Sequence, residues 1–148
     1  GYAMVFGAIY ALSSGCSHSA QYALAAVLKA VNDGELNFVD GVREYGEKAH
    51  VMKRMFTDNG FRIVYDTDLD APIADGFYFT FSYPGLTGEE LLRELLFYGV
   101  SAIALGTTGS LRTEGLRACT SLIQRSEFPA LNERLAWFHR DHQGAAPA

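Results

Sequence analysis

The chain has 148 residues, a length typical of one domain that buries a core of its own. Hydrophobic residues make up 49% and aromatic residues 13%, which excludes an intrinsically disordered segment. The net charge is −5, and the twelve Lys and Arg residues form no basic run, so neither nucleic acid nor an anionic membrane is an expected partner.

Two cysteines, Cys16 and Cys119, are too few for a disulfide framework and have no His or Cys nearby at a zinc-binding spacing. No apolar run approaches the length that spans a bilayer, and the N-terminus has no charged region typical of a signal peptide. We therefore predict a cytoplasmic protein. Because the sequence does not begin with Met, we also expect residues before Gly1.

The first predicted elements are helical. An apolar segment, residues 1–12, stops at a small polar loop, residues 13–19. A helix is predicted over residues 20–31 with Ser17 or Ser19 as its N-cap, and because it is apolar on nearly every side we expect it to be buried. A longer amphipathic helix is predicted over residues 38–58, where apolar residues recur at three- and four-residue steps.

Strands alternate with helices in the rest of the chain. Strands are predicted over residues 61–65, 76–83, 100–105 and 116–123. In the second of these, four aromatic residues alternate with polar ones and should face a helix layer: Phe77, Phe79, Phe81 and Tyr83. Thr87 and Glu90 predict a capping box at the start of a leucine-striped helix. A last helix begins near residues 126–129, and residues 142–148 are predicted to be disordered.

This order predicts an α/β fold, an α+β two-layer sandwich with a small mixed β-sheet and helices packed mainly on one face. Arg117 is the unusual residue, a permanent charge inside a predicted strand. Its planar guanidinium can bind a carboxylate through two hydrogen bonds, which suits a substrate site. From the residues alone, a salt bridge with a local acid at the rim of the sheet is the favoured explanation.

No catalytic or metal-binding set is evident in the sequence. The four histidines, at positions 18, 50, 139 and 142, lack metal-ligand spacing and are expected on the surface or in loops. Cys119 follows Arg117 by two residues, and we expect it to be packed rather than reactive. We predict no catalytic residue, no metal site and no cofactor-binding residue in this chain.

Four segments carry a family resemblance. They are residues 58–64 (Asp-Asn-Gly-Phe-Arg-Ile-Val), 74–79 (Ala-Asp-Gly-Phe-Tyr-Phe), 88–96 (Gly-Glu-Glu-Leu-Leu-Arg-Glu-Leu-Leu, followed by Gly99-Val100) and 114–119 (Glu-Gly-Leu-Arg-Ala-Cys). In this order they resemble the C-terminal part of the class I/II aminotransferases, the fold type I enzymes that depend on pyridoxal 5'-phosphate. The resemblance covers most of the chain.

The resemblance implies that residues 13–141 are the small C-terminal domain of such an enzyme and residues 1–12 a remnant of its large cofactor-binding domain. It assigns to Arg117 the binding of the α-carboxylate of an amino acid or a 2-oxo acid. The lysine that binds the cofactor should precede Gly1, because Lys29, Lys48 and Lys53 do not stand in its sequence context. The chain alone is therefore expected to be inactive.

The resemblance also implies a homodimer in amino-acid metabolism that transfers an amino group between an amino acid and a 2-oxo acid. The loop of residues 13–19 would lie near the active site across the dimer interface, where Ser14, Cys16 or His18 could approach the neighbouring subunit's cofactor. Arg112 and Tyr78 are candidates for contact with a second carboxylate. Two alternatives stay open: another pyridoxal-phosphate reaction, and a non-enzymatic α/β ligand-binding or regulatory module that recognises a carboxylate.

Overall fold

The computed structural model describes residues 1–73 and 76–143. The chain divides into two compact units, Gly1–Gly41 and Val42–Ala148. The sequence instead predicted a division after residue 12. That prediction concerns how the segments belong to a larger enzyme, and it stays a prediction.

The first unit contains helix α1 (Tyr2–Ser13), helix α2 (His18–Asn32) and the start of α3 (Phe38–Asp58). Helix α2 begins after Ser17 as predicted, although the Ser17 hydroxyl bonds the Ser19 hydroxyl at 2.8 Å instead of a backbone N–H. No residue of α1 or α2 is buried, so the prediction of a buried second helix is wrong. A helix that is apolar on most sides needs cover on each of them, and a unit of two helices and the beginning of a third does not supply it.

The second unit is built on a four-stranded sheet in the order β1-β4-β6-β5. Its strands are β1 (Arg62–Ile63), β4 (Tyr78–Ser82), β5 (Ile103–Ala104) and β6 (Gly115–Cys119), and a separate hairpin pairs β2 (Thr67–Asp68) with β3 (Ala71–Pro72). Every neighbouring pair in the sheet is antiparallel. The predicted mixed sheet is therefore wrong in this detail: β4 and β5 run parallel, but β6 lies between them.

Helix α3, helix α4 (Gly88–Phe97) and helix α5 (Phe128–His142) share one core with the sheet. The core side chains of the sheet include Phe79 and Phe81 from β4 and Leu116 and Ala118 from β6. Within this unit the intervening side chains of both strands point to the opposite face, because successive strand residues alternate between faces. The α+β sandwich with helices on one face is thereby confirmed.

Phe77 differs from its predicted place beside the buried residues Phe79, Phe81 and Tyr83. Its side chain is 49% exposed, because the strand begins one residue later, at Tyr78. The Phe77 ring instead packs edge-on against Tyr45 of α3, with 4.8 Å between the ring centroids. The period of two predicted which residues share a face, but not where the strand starts.

The end of α5 also differs from the prediction. His142 was assigned to a disordered tail, yet it is the last residue of the helix and its ring stacks on Phe138 at 4.0 Å. His139, expected on the surface, is partly buried and its Nδ1 lies 2.8 Å from the Tyr83 hydroxyl. His18 and His50 are exposed as expected. Residues 144–148 of the predicted tail lie outside the described residues.

The capping box at the start of α4 is confirmed. The Thr87 hydroxyl accepts a hydrogen bond from the Glu90 backbone N–H, and the Thr87 backbone N–H donates to the Glu90 carboxylate at 2.8 Å. This backbone donor, followed by the Thr87 hydroxyl, lowers the pKa of Glu90 from its ordinary value.

Replacing Thr87 with alanine should lower the free energy of unfolding by about 1 kcal/mol, because it leaves a helix N–H without its acceptor. Chemical denaturation measures this change. Thr57→Ala is the matched control, since the Thr57 hydroxyl is exposed and bonds only the carbonyl of Arg54 one turn earlier. Equal stability of the two variants would contradict the role of the cap.

Candidate functional site

Arg117 lies in the middle of β6, on the sheet face opposite the helices. Its register partners are Thr80 on β4 and Ile103 on β5, so a strand flanks it on each side. Leu116 and Ala118 are buried in the core, and the alternation of the strand turns the residue between them outward. The hydrophobic pattern of β6 therefore places a permanent charge on a face of the sheet that can meet solvent or a ligand.

The guanidinium of Arg117 stacks on an aromatic ring. Its Cζ lies 4.3 Å from the centroid of the Tyr78 ring, and Tyr78 is opposite Cys119 in the register. Among residues 1–73 and 76–143, no carboxylate forms a salt bridge with Arg117, and its side chain is partly exposed. Within the described residues, Arg117 therefore has no acid with which to form the local salt bridge.

Two other arginines of this unit use their guanidinium groups in hydrogen bonds within the chain. The Nε of Arg112 donates to Glu114 at 2.6 Å and its Nη1 donates to the Val64 carbonyl at 3.0 Å. Arg125 donates to Glu44 through two nitrogens, each at 2.8 Å. Of the several effects on the pKa of Glu44, this hydrogen bonding is the largest, and it lowers the pKa. Arg112, a candidate for a second carboxylate, is thus already paired with an acid.

Cys119 follows Arg117 on the same face of the strand and is partly exposed. Burial acts to raise the pKa of its thiol, but hydrogen bonds with the Ser121 side chain and backbone and with the Leu122 backbone outweigh it. The positive charge of Arg117 also lowers this pKa, and the pKa of Cys119 therefore lies below its ordinary value. The thiol Sγ lies 3.1 Å from the Ser121 hydroxyl. Cys119 is less enclosed than expected and adds a polarisable group beside the arginine.

Lys48 and Lys53 do not form a pyridoxal-phosphate site with Arg117. Both are on α3, which packs on the other face of the sheet from Arg117, and Lys53 pairs with Asp66 at 3.8 Å. Lys29 belongs to the first unit and pairs with Asp33. The described residues of the second unit therefore do not fit the cofactor, and we assign them no chemical step through it. In the same part of the chain, no group of three or more His, Cys, Asp or Glu side chains could hold a metal ion.

The predicted interface residues are in the first unit. Ser14 follows the end of α1 with a left-handed backbone (φ 52°), Cys16 is an exposed free thiol, and His18 is the first residue of α2. The carbonyl of Cys16 accepts a hydrogen bond from the Gln21 amide at 3.1 Å, which holds the loop to the first turn of α2. The approach of these three residues to a neighbouring subunit stays a prediction.

Sequence reasoning missed the stack of Arg117 on Tyr78. The alternation of β4 does show that Tyr78 lies on the face opposite Phe79 and Phe81. Nothing local to either strand shows that β4 and β6 are neighbours, or with which register. The pairing joins segments about 40 residues apart, so it is a tertiary contact.

Neither a scan against protein-family models nor a search of the curated proteins finds a match for this chain. Of the helices in the described residues, none has the length and apolar character required to traverse a bilayer.

Proposed function

We propose that this chain is the small C-terminal domain of a cytoplasmic, homodimeric, pyridoxal-phosphate-dependent aminotransferase, and that Arg117 binds the α-carboxylate of its substrates. One observation supports the proposal most directly. Arg117 lies on a strand that has a neighbouring strand on each side, and its side chain is partly exposed. Among the described residues, no acid pairs with its guanidinium. The proposal also rests on the resemblance of the four sequence segments.

The chemistry of the site matches the two substrates of such a reaction. An amino acid and a 2-oxo acid share a carboxylate, and a guanidinium can donate two parallel hydrogen bonds to it and keeps its charge at any working pH. Because Arg117 lies between two other strands, its backbone position is well defined, which favours one orientation of the bound acid. In the proposed enzyme the cofactor would supply the electron sink, and the part of this chain would be to bind and orient the substrate.

The test replaces Arg117 with alanine in the intact enzyme and measures the half-reactions with amino acid and with 2-oxo acid. Losing two charge-assisted hydrogen bonds should lower kcat/KM about 100-fold or more in both directions. Arg117→Lys should recover only part of the loss, because an ammonium lacks the planar fork. Arg62→Ala, at an exposed position of β1, is the matched control. An unchanged apparent affinity for both acids in Arg117→Ala would refute the proposal.

A carboxylate-binding regulatory module is the second candidate, because the second unit has its own core and Arg117 is accessible within it. Titrating the 148-residue chain with pyruvate, followed by NMR, separates the two. A regulatory module should bind pyruvate by itself and lose that binding in Arg117→Ala. The small domain of an aminotransferase should show no saturable binding, because the rest of its substrate pocket is contributed by the large domain.

A further inference from the structure

We infer that Tyr78 is a positioning residue for Arg117: its ring occupies one face of the guanidinium and holds the N–H edge ready for a carboxylate. The inference rests on the proposed function. The sequence made Tyr78 a candidate for contact with a second carboxylate, but the role of holding Arg117 is recognisable only from the pairing of β4 with β6.

The contact between the Arg117 guanidinium and the Tyr78 ring is close, and strand pairing holds the backbone of both residues. The 4.3 Å from the guanidinium carbon to the ring centroid is well inside the range of a cation–π contact. Five consecutive residue pairs join β4 to β6, and they set the backbone positions of both partners. The Tyr78 ring also meets Phe77 nearly edge-on, at 6.5 Å and 81°, and Phe77 meets Tyr45 edge-on in turn. The Tyr78 ring thus contacts an aromatic ring as well as Arg117.

Stacking orders an arginine without using its donors. A free arginine side chain has many rotamers, and part of this rotamer entropy is lost when it binds a ligand. A ring that contacts the flat face reduces this cost in advance and leaves the N–H groups at the edge available to a carboxylate. The 47% exposure of Tyr78 leaves room for a ligand beside the pair.

A second arginine–tyrosine stack in the same unit provides the contrast. The guanidinium of Arg112 lies 5.5 Å from the centroid of the Tyr65 ring, but its donors are bound to Glu114 and to the Val64 carbonyl. That stack therefore belongs to a set of contacts made within the chain. The stack of Arg117 on Tyr78 has no acid within the described residues, which is the arrangement expected of a site for an external carboxylate.

The first experiment compares variants in the intact enzyme. Tyr78→Leu should raise the apparent KM for the amino acid and for the 2-oxo acid about three- to tenfold, the size of a cation–π contact, and leave kcat nearly unchanged. Tyr78→Phe should behave like the wild type, since it keeps the ring and the Tyr78 hydroxyl has no hydrogen-bond partner among the described residues. Tyr65→Leu, which removes the other stack, is the matched control and should leave both KM values unchanged.

The second experiment needs only the 148-residue chain. The ring current of Tyr78 should shift the Cδ protons of Arg117 upfield in the NMR spectrum, and Tyr78→Leu should abolish the shift. Absence of the shift in the wild-type chain would overturn the inference whatever the function. If Arg117→Ala weakens both substrates but Tyr78→Leu does not, the positioning role is refuted and the proposed function stands. If Arg117→Ala changes neither affinity, the proposed function itself fails.

Discussion

Replacing Phe56 with alanine is expected to lower the free energy of unfolding by about 3–5 kcal/mol, the cost of a large cavity in a packed core. Phe56 is 2% exposed and lies on the face of α3 that covers the sheet. Its ring centroid lies 5.2 Å from Phe61, 5.4 Å from Phe79 and 4.4 Å from Phe81. One substitution therefore removes aromatic contacts to β4 and to the segment that leads into β1.

Such a loss is a large fraction of the stability of an ordinary domain, so Phe56→Ala is best measured by denaturant unfolding beside the milder Phe56→Leu. Phe97→Ala is the matched control, because the Phe97 side chain on α4 is 81% exposed and should change stability by less than about 0.5 kcal/mol. Similar unfolding midpoints for the alanine variants of Phe56 and Phe97 would mean that the core is not organised around Phe56.

Replacing Gly88 with alanine is expected to destabilise the chain by about 1–3 kcal/mol and to displace the beginning of β6. A Cβ at this position would stand 2.7 Å from the carbonyl oxygen of Gly115 and 2.9 Å from that of Thr113. Both atoms belong to the backbone, so neither can move aside as the tip of a side chain can. The Gly88 N–H also donates to the Thr113 carbonyl at 2.7 Å, which ties the start of α4 to the approach to β6.

This substitution links stability to the site, since Gly115 is only two residues from Arg117. Along with a lower unfolding midpoint, the backbone amide resonances of Leu116 and Arg117 should shift in Gly88→Ala. Gly106→Ala is the control: a Cβ there has no atom within 4 Å, and its φ is not in the left-handed region. Unaltered resonances of β6 together with wild-type stability would show that the close approach of α4 and β6 is not required.

Local signals in the sequence predicted several elements well. The predicted bounds of α3 agree with the structure, because its apolar period is long and Asn59-Gly60 ends it. The capping box of Thr87 with Glu90 depends on residues three apart, so it is recognisable without the fold. The core positions of Phe79 and Phe81 follow from a period of two.

Signals of the same kind failed where the outcome depended on distant residues. An apolar α2 was expected to be buried, but burial requires a partner surface, which the helix does not encode. His139 and His142, near the C-terminal end of the chain, were expected on the surface or in a loop. Tyr83, the partner of His139, becomes its neighbour only when α5 packs on the core, whereas His142 stacks on Phe138, one turn earlier in the same helix.

By itself, the sequence determined an α+β sandwich and a permanent charge, Arg117, within a strand, because hydrophobic period and helix caps act over a few residues. Only the tertiary structure decided that β6 lies between β4 and β5, so that the sheet is antiparallel. It also decided that Arg117 stacks on Tyr78 instead of pairing with an acid in the described residues. The physical reason is that strand order and register are set by packing between segments far apart in the chain.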